Sequence, residues 1–266
     1  MLGIFAKVVR GEPVKTRLQS VLTRGEAERI YLASLADTLE TSVRVVRSPV
    51  LLLQGGGDEA AVAELRGLLV ALGLDESCWD DLRIGVQRGD DLGERLERAF
   101  IELCGGPRGS RPTLIVGSDS PSLGPGKLRR GLERLGATAG ASTPAAAGSG
   151  DPSTTVGGGR TQDASASPDV VLGPTADGGY YAIGVRRPFP GLLRGVAWST
   201  EHALEDTRRH AGELGLRVEL LEAWSDVDHP EDLHTLARQI AALRSAGDTK
   251  KARHTETVLR ELRRLE

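Results

Sequence analysis

Cysteine is nearly absent from this chain of 266 residues, which carries only Cys78 and Cys104. The two lie far apart in helix-like contexts, without Cys-x-x-Cys or Cys/His metal spacing, so both read as free thiols of a reducing compartment. None of the five histidines has ligand spacing with another. A Walker A loop, a GxGxxG fingerprint and a Ser/His/Asp order are also missing, which removes the commonest phosphate-loop, dinucleotide and serine-hydrolase signatures. No apolar run approaches the ~20 residues that span a bilayer, and MLGIFAKVVRG is too short for the core of a signal peptide. A cytoplasmic protein without a membrane partner is expected. The net charge of −3 and pI near 6.0 supply no general basic field, so nucleic acid is not expected as a partner either.

What is present is 39% hydrophobic and 27% charged, enough for one sizeable core. Short aliphatic runs alternate with amphipathic stretches. Strands are predicted over 2 to 8, 50 to 54, 83 to 87, 113 to 117, 169 to 173, 180 to 185 and 216 to 221. Helices are predicted over 26 to 43 with Thr23 as cap, from Asp58 to about Leu72, over 92 to 103, from near Pro121, from Glu201, and from Pro230. The alternation argues for an α/β fold: a mostly parallel, doubly wound sheet with helices on both faces.

From Ala137 to Pro168 the chain is almost entirely Ala, Gly, Ser, Thr and Pro, with Val156 its one large aliphatic. Such a segment cannot build a core and reads as a disordered insertion in a surface connection. The expected organisation is a single domain over 1 to 245 interrupted there, then a helical extension over 246 to 266. Val258, Leu259, Leu262 and Leu265 form its stripe, which serves packing or a homodimer.

Three of the apolar runs end on aspartates: TLIVGSDSP, VVLGPTADGGYY and VELLEAWSDVDHPEDL. Ligands of open α/β sheets collect where parallel strands end, so these carboxylates are expected to share a cleft. Asp119 and Asp228 are the pair expected to hold Mg²⁺ or Mn²⁺ against a nucleotide's phosphates, since hard cations take oxygen ligands. Lysine is scarce, five residues against 29 arginines, yet Lys7 and Lys15 both follow the first strand, with Arg10 and Arg17. A point charge and a bidentate guanidinium there suit phosphates, although a solvated basic loop explains the same residues. In QRGDDLGERL, Gln87 can read a base edge and Gly89 and Gly93 permit close approach, or the turn simply caps a helix. In TADGGYYAIGV, Asp177, Gly178 and Gly179 make a turn, and Tyr180 and Tyr181 point to opposite faces, one towards the cleft. Trp198 offers an aromatic wall, with Ser199 and Thr200 as hydroxyls or helix caps. Asp177, Gly178, Gly179, Tyr180, Trp198, Ser199 and Thr200 are expected to bind the acceptor, and Lys7, Lys15, Arg17, Gln87 and Gly89 the nucleotide.

FAK, VKTRL, GDDLGERL, VGSDSPSL, VLGPTADGGYYAIG, WST and DVDHPEDL, taken together, resemble the radical-SAM/selenodomain-associated transferases of type 1. That family has a glycosyltransferase-A-like fold and is similar to the 2-phospholactate guanylyltransferases and the nucleotide-diphospho-sugar transferases. The resemblance spans roughly Leu2 to Leu236. It implies that Lys15 and Arg17 bind phosphates, that Asp119 and Asp228 hold the metal, and that the Asp177 to Tyr180 turn faces the acceptor. Two positions depart from the pattern: Glu12 stands where glycine is usual, and His229 where threonine is usual.

Two reactions follow from this reading. A nucleotidyltransferase would join a nucleoside monophosphate from a triphosphate to a small phosphorylated or acidic acceptor, releasing pyrophosphate. A glycosyltransferase would use a nucleotide-diphospho-sugar donor. The first is favoured, because sugar transferases of this fold usually carry two aspartates one residue apart at the strand end, and serines flank Asp119 here. A nucleotide-sensing module without catalysis is the third reading.

Overall fold

The short aliphatic runs become a single sheet of seven strands. The structure, a computed structural model, describes residues 1–9, 13–136 and 167–263; the insertion expected over 137 to 168 falls almost wholly outside them, as do Arg10 and Glu12. The strands are β1 (Leu2–Lys7), β2 (Val50–Gln54), β3 (Arg83–Val86), β4 (Thr113–Val116), β5 (Val170–Pro174), β6 (Tyr180–Val185) and β7 (Val218–Leu220). Their order is β3-β2-β1-β4-β6-β5-β7, and all neighbours run parallel except β6, which is antiparallel to both β4 and β5. A turn of five residues between β5 and β6 is too short for a parallel crossover, so the reversal follows from the Asp177 to Gly179 turn.

The helices are α1 (Arg24–Val43), α2 (Glu59–Ala71), α3 (Glu76–Asp80), α4 (Leu92–Cys104), α5 (Pro125–Arg134), α6 (Ala203–Glu213), α7 (Pro230–Ser245) and α8 (Arg253–Glu261), with a 3-10 turn over Thr16–Ser20. Local chemistry explains most of their starts. Thr23 and Glu26 form a reciprocal capping box on α1, and Asp58 and Asp91 accept from Ala61 and Glu94 amides to start α2 and α4. The helix expected near Pro121 begins instead at Pro125, because Ser120 to Leu123 form a buried turn in which Leu123 donates to the Ser120 carbonyl.

Alternate strand residues feed two cores, one on each face. Leu2, Ile4, Leu51 and Leu53 pack with Leu35 and Leu39 of α1 and Leu65 of α2. Val50, Leu52 and Ile115 pack with Leu96, Phe100 and Leu103 of α4 on the other face. A third cluster joins Leu18, Ile30, Leu233, Leu236, Val258 and Leu259, and so binds the 3-10 turn, α7 and α8 to α1. Burial of Val258 and Leu259, at 1% and 0% exposure, contributes about 1.5–3 kcal/mol each. Val258, Leu259 and the partly buried Leu262 of the C-terminal stripe thus pack within this chain, and Leu265 lies outside the described residues.

Polar groups fix α8 in place. Asp37 of α1 accepts hydrogen bonds from the amides of His254 and Thr255 at 3.1 and 3.0 Å and from the Thr255 hydroxyl at 2.6 Å. It caps a helix that has no side-chain cap of its own. Burial pushes the Asp37 carboxyl up to about 6 despite these donors. Beside it, Glu40 pairs with Arg253 and lies 3.2 Å from His254 Nε2. Burial would raise Glu40, but these two cations prevail and hold it at about 2.

A carboxylate cleft at the ends of the strands

The loop after β1 turns inward at Lys15, whose φ of 49° and ψ of 45° lie in the left-handed region that few non-glycine residues adopt. The conformation is held by Leu18, fully buried, whose amide donates to the Lys15 carbonyl at 3.0 Å. As a result the Lys15 side chain is only 3% exposed, whereas Arg17 stays 49% exposed. Lys15 Nζ contacts Asp119 Oδ1 and lies 2.8 Å from Asp228 Oδ1. Burial opposes the charged ammonium, but the two carboxylates more than offset it, so the Lys15 pKa is raised and the residue remains a cation.

Each carboxylate is placed by backbone. Asp119 follows β4, where the Gly117 amide donates to Tyr181 O at 3.0 Å, and its own carbonyl accepts from Val227 at 2.9 Å. Asp228 precedes α7. The amides of Asp228 and His229 are taken by Asp232 Oδ2 at 2.9 and 2.7 Å, so Asp232 caps the helix and leaves the Asp228 carboxylate free for Lys15. Burial raises the Asp228 pKa, but Lys15, Arg17 and His229 outweigh it and lower the result.

A second grouping shares Asp228. Asp177, Asp226 and Asp228 each present an oxygen within 4.8 Å of the others. Asp177 is oriented by Thr175 Oγ1 at 2.5 Å and the Gly179 amide at 3.1 Å. Asp226 is pushed up to about 7, first by burial and then by the charges of Asp177 and Asp228. Three hard oxygen ligands at this spacing fit a divalent cation such as Mg²⁺ or Mn²⁺. Asp119 is not one of the trio, and Lys15 Nζ bridges it to Asp228. Between the expected metal pair, Asp119 and Asp228, the structure therefore places an ammonium, and it adds Asp177 and Asp226 to Asp228.

Of the other expected residues, Lys7, Gln87, Gly179, Tyr180, Trp198, Ser199 and Thr200 line one cleft of about 700 Å³ with these groups, whereas Gly89 and Gly178 do not line it, and several are already engaged. Gln87 Nε2 donates to the carbonyls of Ala6 and Leu52 at 3.0 and 2.8 Å, so its amide protons staple strand ends instead of being free for a base. Gly89, at φ 141°, is crowded by the Arg95 amide, which a Cβ would approach to 2.8 Å. Gly178, at φ 84°, abuts Glu201, where a Cβ would come within 2.1 Å of the carbonyl oxygen, and its own carbonyl accepts from Leu204. At both positions the packing leaves no room for a Cβ. Thr200 Oγ1 donates to Ala197 O at 2.7 Å and accepts from the His202 amide at 3.2 Å, bracing its own loop, while Ser199 is exposed at φ 61°. Lys7 is exposed at the end of β1, its amide donating to Tyr31 Oη at 2.6 Å.

Tyr180 faces the cleft and Tyr181 the core. Tyr180 meets Trp198 edge-on, with centroids 6.2 Å apart at 82°, while Tyr181 Oη donates to Glu222 O. Gly93 seats the indole: a Cβ there would lie 2.9 Å from Trp198 Nε1 and 2.5 Å from Leu193 O. Tyr31 reaches the cleft from α1 with no motif to announce it, and Arg95, within GDDLGERL but given no role there, lines it from α4; what places either is tertiary packing.

The sequence matches the model of the family described as "Uncharacterized protein conserved in bacteria" (DUF2064) over residues 35–149 and 160–200, more than half of the chain. The chain belongs to that family. The DUF2064 match includes Asp119, the Asp177 turn and Trp198, while Lys15, Arg17, Asp226 and Asp228 fall outside it. No curated protein matches the sequence. Among solved structures, a protein from Desulfovibrio desulfuricans G20, provisionally assigned as a nucleotide-diphospho-sugar transferase, is similar at 23% identity. That likeness covers 99% of this chain and 95% of that one with a TM-score of 0.73, and it establishes a nucleotide-diphospho-sugar transferase fold. More distant are CMP:2-keto-3-deoxy-manno-octonic acid synthetase complexed with CTP (12% identity, 91% and 98% covered, TM-score 0.42) and 4-diphosphocytidyl-2C-methyl-D-erythritol synthase (17%, 90% and 96%, 0.46). No helix among the described residues is long and apolar enough to cross a membrane.

Proposed function

We propose that this DUF2064 protein is a divalent-cation-dependent nucleotidyltransferase that moves a nucleoside monophosphate from a triphosphate to a small anionic acceptor. The observation that carries the reading is the buried Lys15 ammonium between Asp119 and Asp228, beside the Asp177, Asp226 and Asp228 trio, in a cleft large enough for a nucleotide. The motif resemblance to the type 1 radical-SAM/selenodomain-associated transferases points the same way.

In the reaction an acceptor oxygen forms a bond to the α-phosphorus, the α–β P–O bond breaks, and pyrophosphate leaves with the electron pair. Such chemistry needs alignment and charge neutralisation more than a covalent nucleophile. Asp228 and its two neighbours would hold the cation, which would neutralise phosphate charge when bound. Lys15 can turn to a phosphate once its carboxylate partners are otherwise neutralised, and Arg17, half exposed at the rim, can reach one without that step. Tyr180 and Trp198 form the wall on the acceptor side.

The test is phosphorus NMR of the protein with Mg²⁺ and each of ATP, CTP, GTP and UTP, given a pool of phosphate monoesters and hydroxy acids. Parallel samples contain UDP-glucose or GDP-mannose in place of triphosphate. Pyrophosphate formed from one triphosphate is expected. Release of nucleoside diphosphate from a sugar nucleotide, with no pyrophosphate from any triphosphate, would replace this reading by glycosyl transfer.

A further inference from the structure

Arg95 is a half-buried residue of α4 that lines the cleft, and its Nε is buried without a hydrogen-bond partner. Among the described residues no ion pair engages its guanidinium, although Arg98 on the same helix is paired with Glu94. The four cleft aspartates do not neutralise it: Asp119 and Asp228 meet Lys15, and Asp177 and Asp226 gather with Asp228. Its helix belongs to the core cluster that Tyr180 and Trp198 pack against, whereas Lys15 precedes, and Arg17 lies within, the 3-10 turn that packs with α7 and α8. The cleft therefore has two cationic ends. One is self-neutralised by carboxylates, and at the other Arg95 makes no ion pair among the described residues, in a cleft that Tyr180 and Trp198 also line. A partly desolvated guanidinium without a partner is costly, and a ligand anion that accepts two parallel hydrogen bonds would offset that cost.

We propose that Arg95 is the specificity-determining cation of the acceptor end, taking the phosphate or carboxylate of a small molecule whose carbon skeleton lies against Tyr180 and Trp198. The word acceptor rests on the nucleotidyltransferase reading; the anion site itself does not. Arginine suits the task over lysine because its fork matches the planar carboxylate and the phosphate edge bidentately.

The test is calorimetric titration of wild type, Arg95→Gln and Arg95→Lys with glycerol 3-phosphate, 3-phosphoglycerate, glycerate and neutral glycerol. Each protein is titrated in parallel with every Mg²⁺ nucleoside triphosphate. Wild type should bind the anionic probes and not glycerol, the phosphate and carboxylate arms showing which anion is preferred. Arg95→Gln should weaken that binding by about tenfold or more and Arg95→Lys by less, with nucleotide affinity held within about twofold. The proposal is overturned if wild type binds none of the anionic probes at millimolar concentration, if Arg95→Gln binds them unchanged, or if nucleotide affinity falls in parallel. Binding of the probes through Arg95 by a protein that takes up no triphosphate would instead sustain the anion site and remove the proposed reaction.

Discussion

Lys15 Nζ lies 2.8 Å from Asp228 Oδ1, although 213 positions separate the two residues. The same ammonium touches Asp119, so a single buried cation ties the loop after β1 to the end of β4 and to the start of α7. On the proposed function, a phosphate at Lys15 would compete with two carboxylates, and affinity for a nucleotide should depend on whatever else neutralises them.

Lys15→Ala should lower the stability of the protein without ligand. Removing one partner of a buried ion pair is strongly destabilising, but the carboxylates here are 43% and 33% exposed, so the expected loss is about 1–3 kcal/mol. Arg17→Ala, at a half-exposed position, should change stability by less than about 0.5 kcal/mol. Urea denaturation of the two variants checks this, and equal stability of Lys15→Ala and wild type would contradict the buried bridge. The sequence alone suggests that both side chains wait in solvent. The left-handed backbone at Lys15 is what turns the first of them inward.

Asp37→Ala should uncap α8. Two helical amides and a hydroxyl lose their acceptor in a buried place, a loss of about 2–4 kcal/mol from the cap and the unsatisfied donors together. Hydrogen exchange should show His254 and Thr255 unprotected while β1 and β4 keep their protection. Unchanged protection of those two amides would show that packing alone holds the helix.

His254 makes the attachment of α8 dependent on pH. Burial lowers its pKa, but Glu40, Asp37 and the Leu72 carbonyl, 2.9 Å from Nδ1, outweigh burial and raise it. A pKa raised in the folded state gives stability that is complete below the ordinary value of about 6.5 and is lost as pH rises through the folded value. The destabilisation caused by His254→Gln should accordingly be larger near pH ~6 than near pH ~9. Thermal melts at both values check it, and a gap that stays constant would assign His254 a packing role only.

Gly93→Ala should displace the Trp198 indole, because the new methyl would overlap both its Nε1 and the Leu193 carbonyl. Overpacking of this kind costs about 1–3 kcal/mol. Tryptophan fluorescence should shift with it; an unchanged spectrum and melting temperature would show that the loop carrying Trp198 gives way freely.

Much of the fold was legible because its signals are local. The aliphatic runs of β1, β2 and β4 announce buried strands, and Thr23 with Glu26, Asp58 and Asp91 announce helix starts through side-chain acceptors at fixed offsets. The glycine turn before Tyr180 was visible too, although its consequence, an antiparallel β6, depends on where the chain can pair after so short a turn. The site was legible as a set of strand-end aspartates but not as a set of pairs. Nothing in VKTRL shows that Lys15 folds back onto Asp119, and nothing in SDVDHPED shows that Asp232 takes the capping role and frees Asp228. The two carbonyls that take the Gln87 amide protons, those of Ala6 and Leu52, belong to strands distant in sequence and could not be read from QRGDDLGERL. Arg95 stands within GDDLGERL, but that its guanidinium makes no ion pair among the described residues is a property of packing that the motif does not show.

The central claim is that the carboxylates around Lys15 couple a divalent cation to a nucleotide. The most direct measurement is calorimetric titration of each nucleoside triphosphate into wild type and Asp228→Asn, with Mg²⁺ and with EDTA. One triphosphate should bind wild type with Mg²⁺, and its affinity should fall by about tenfold or more both in EDTA and in the variant. Equal affinity under all four conditions would contradict the account.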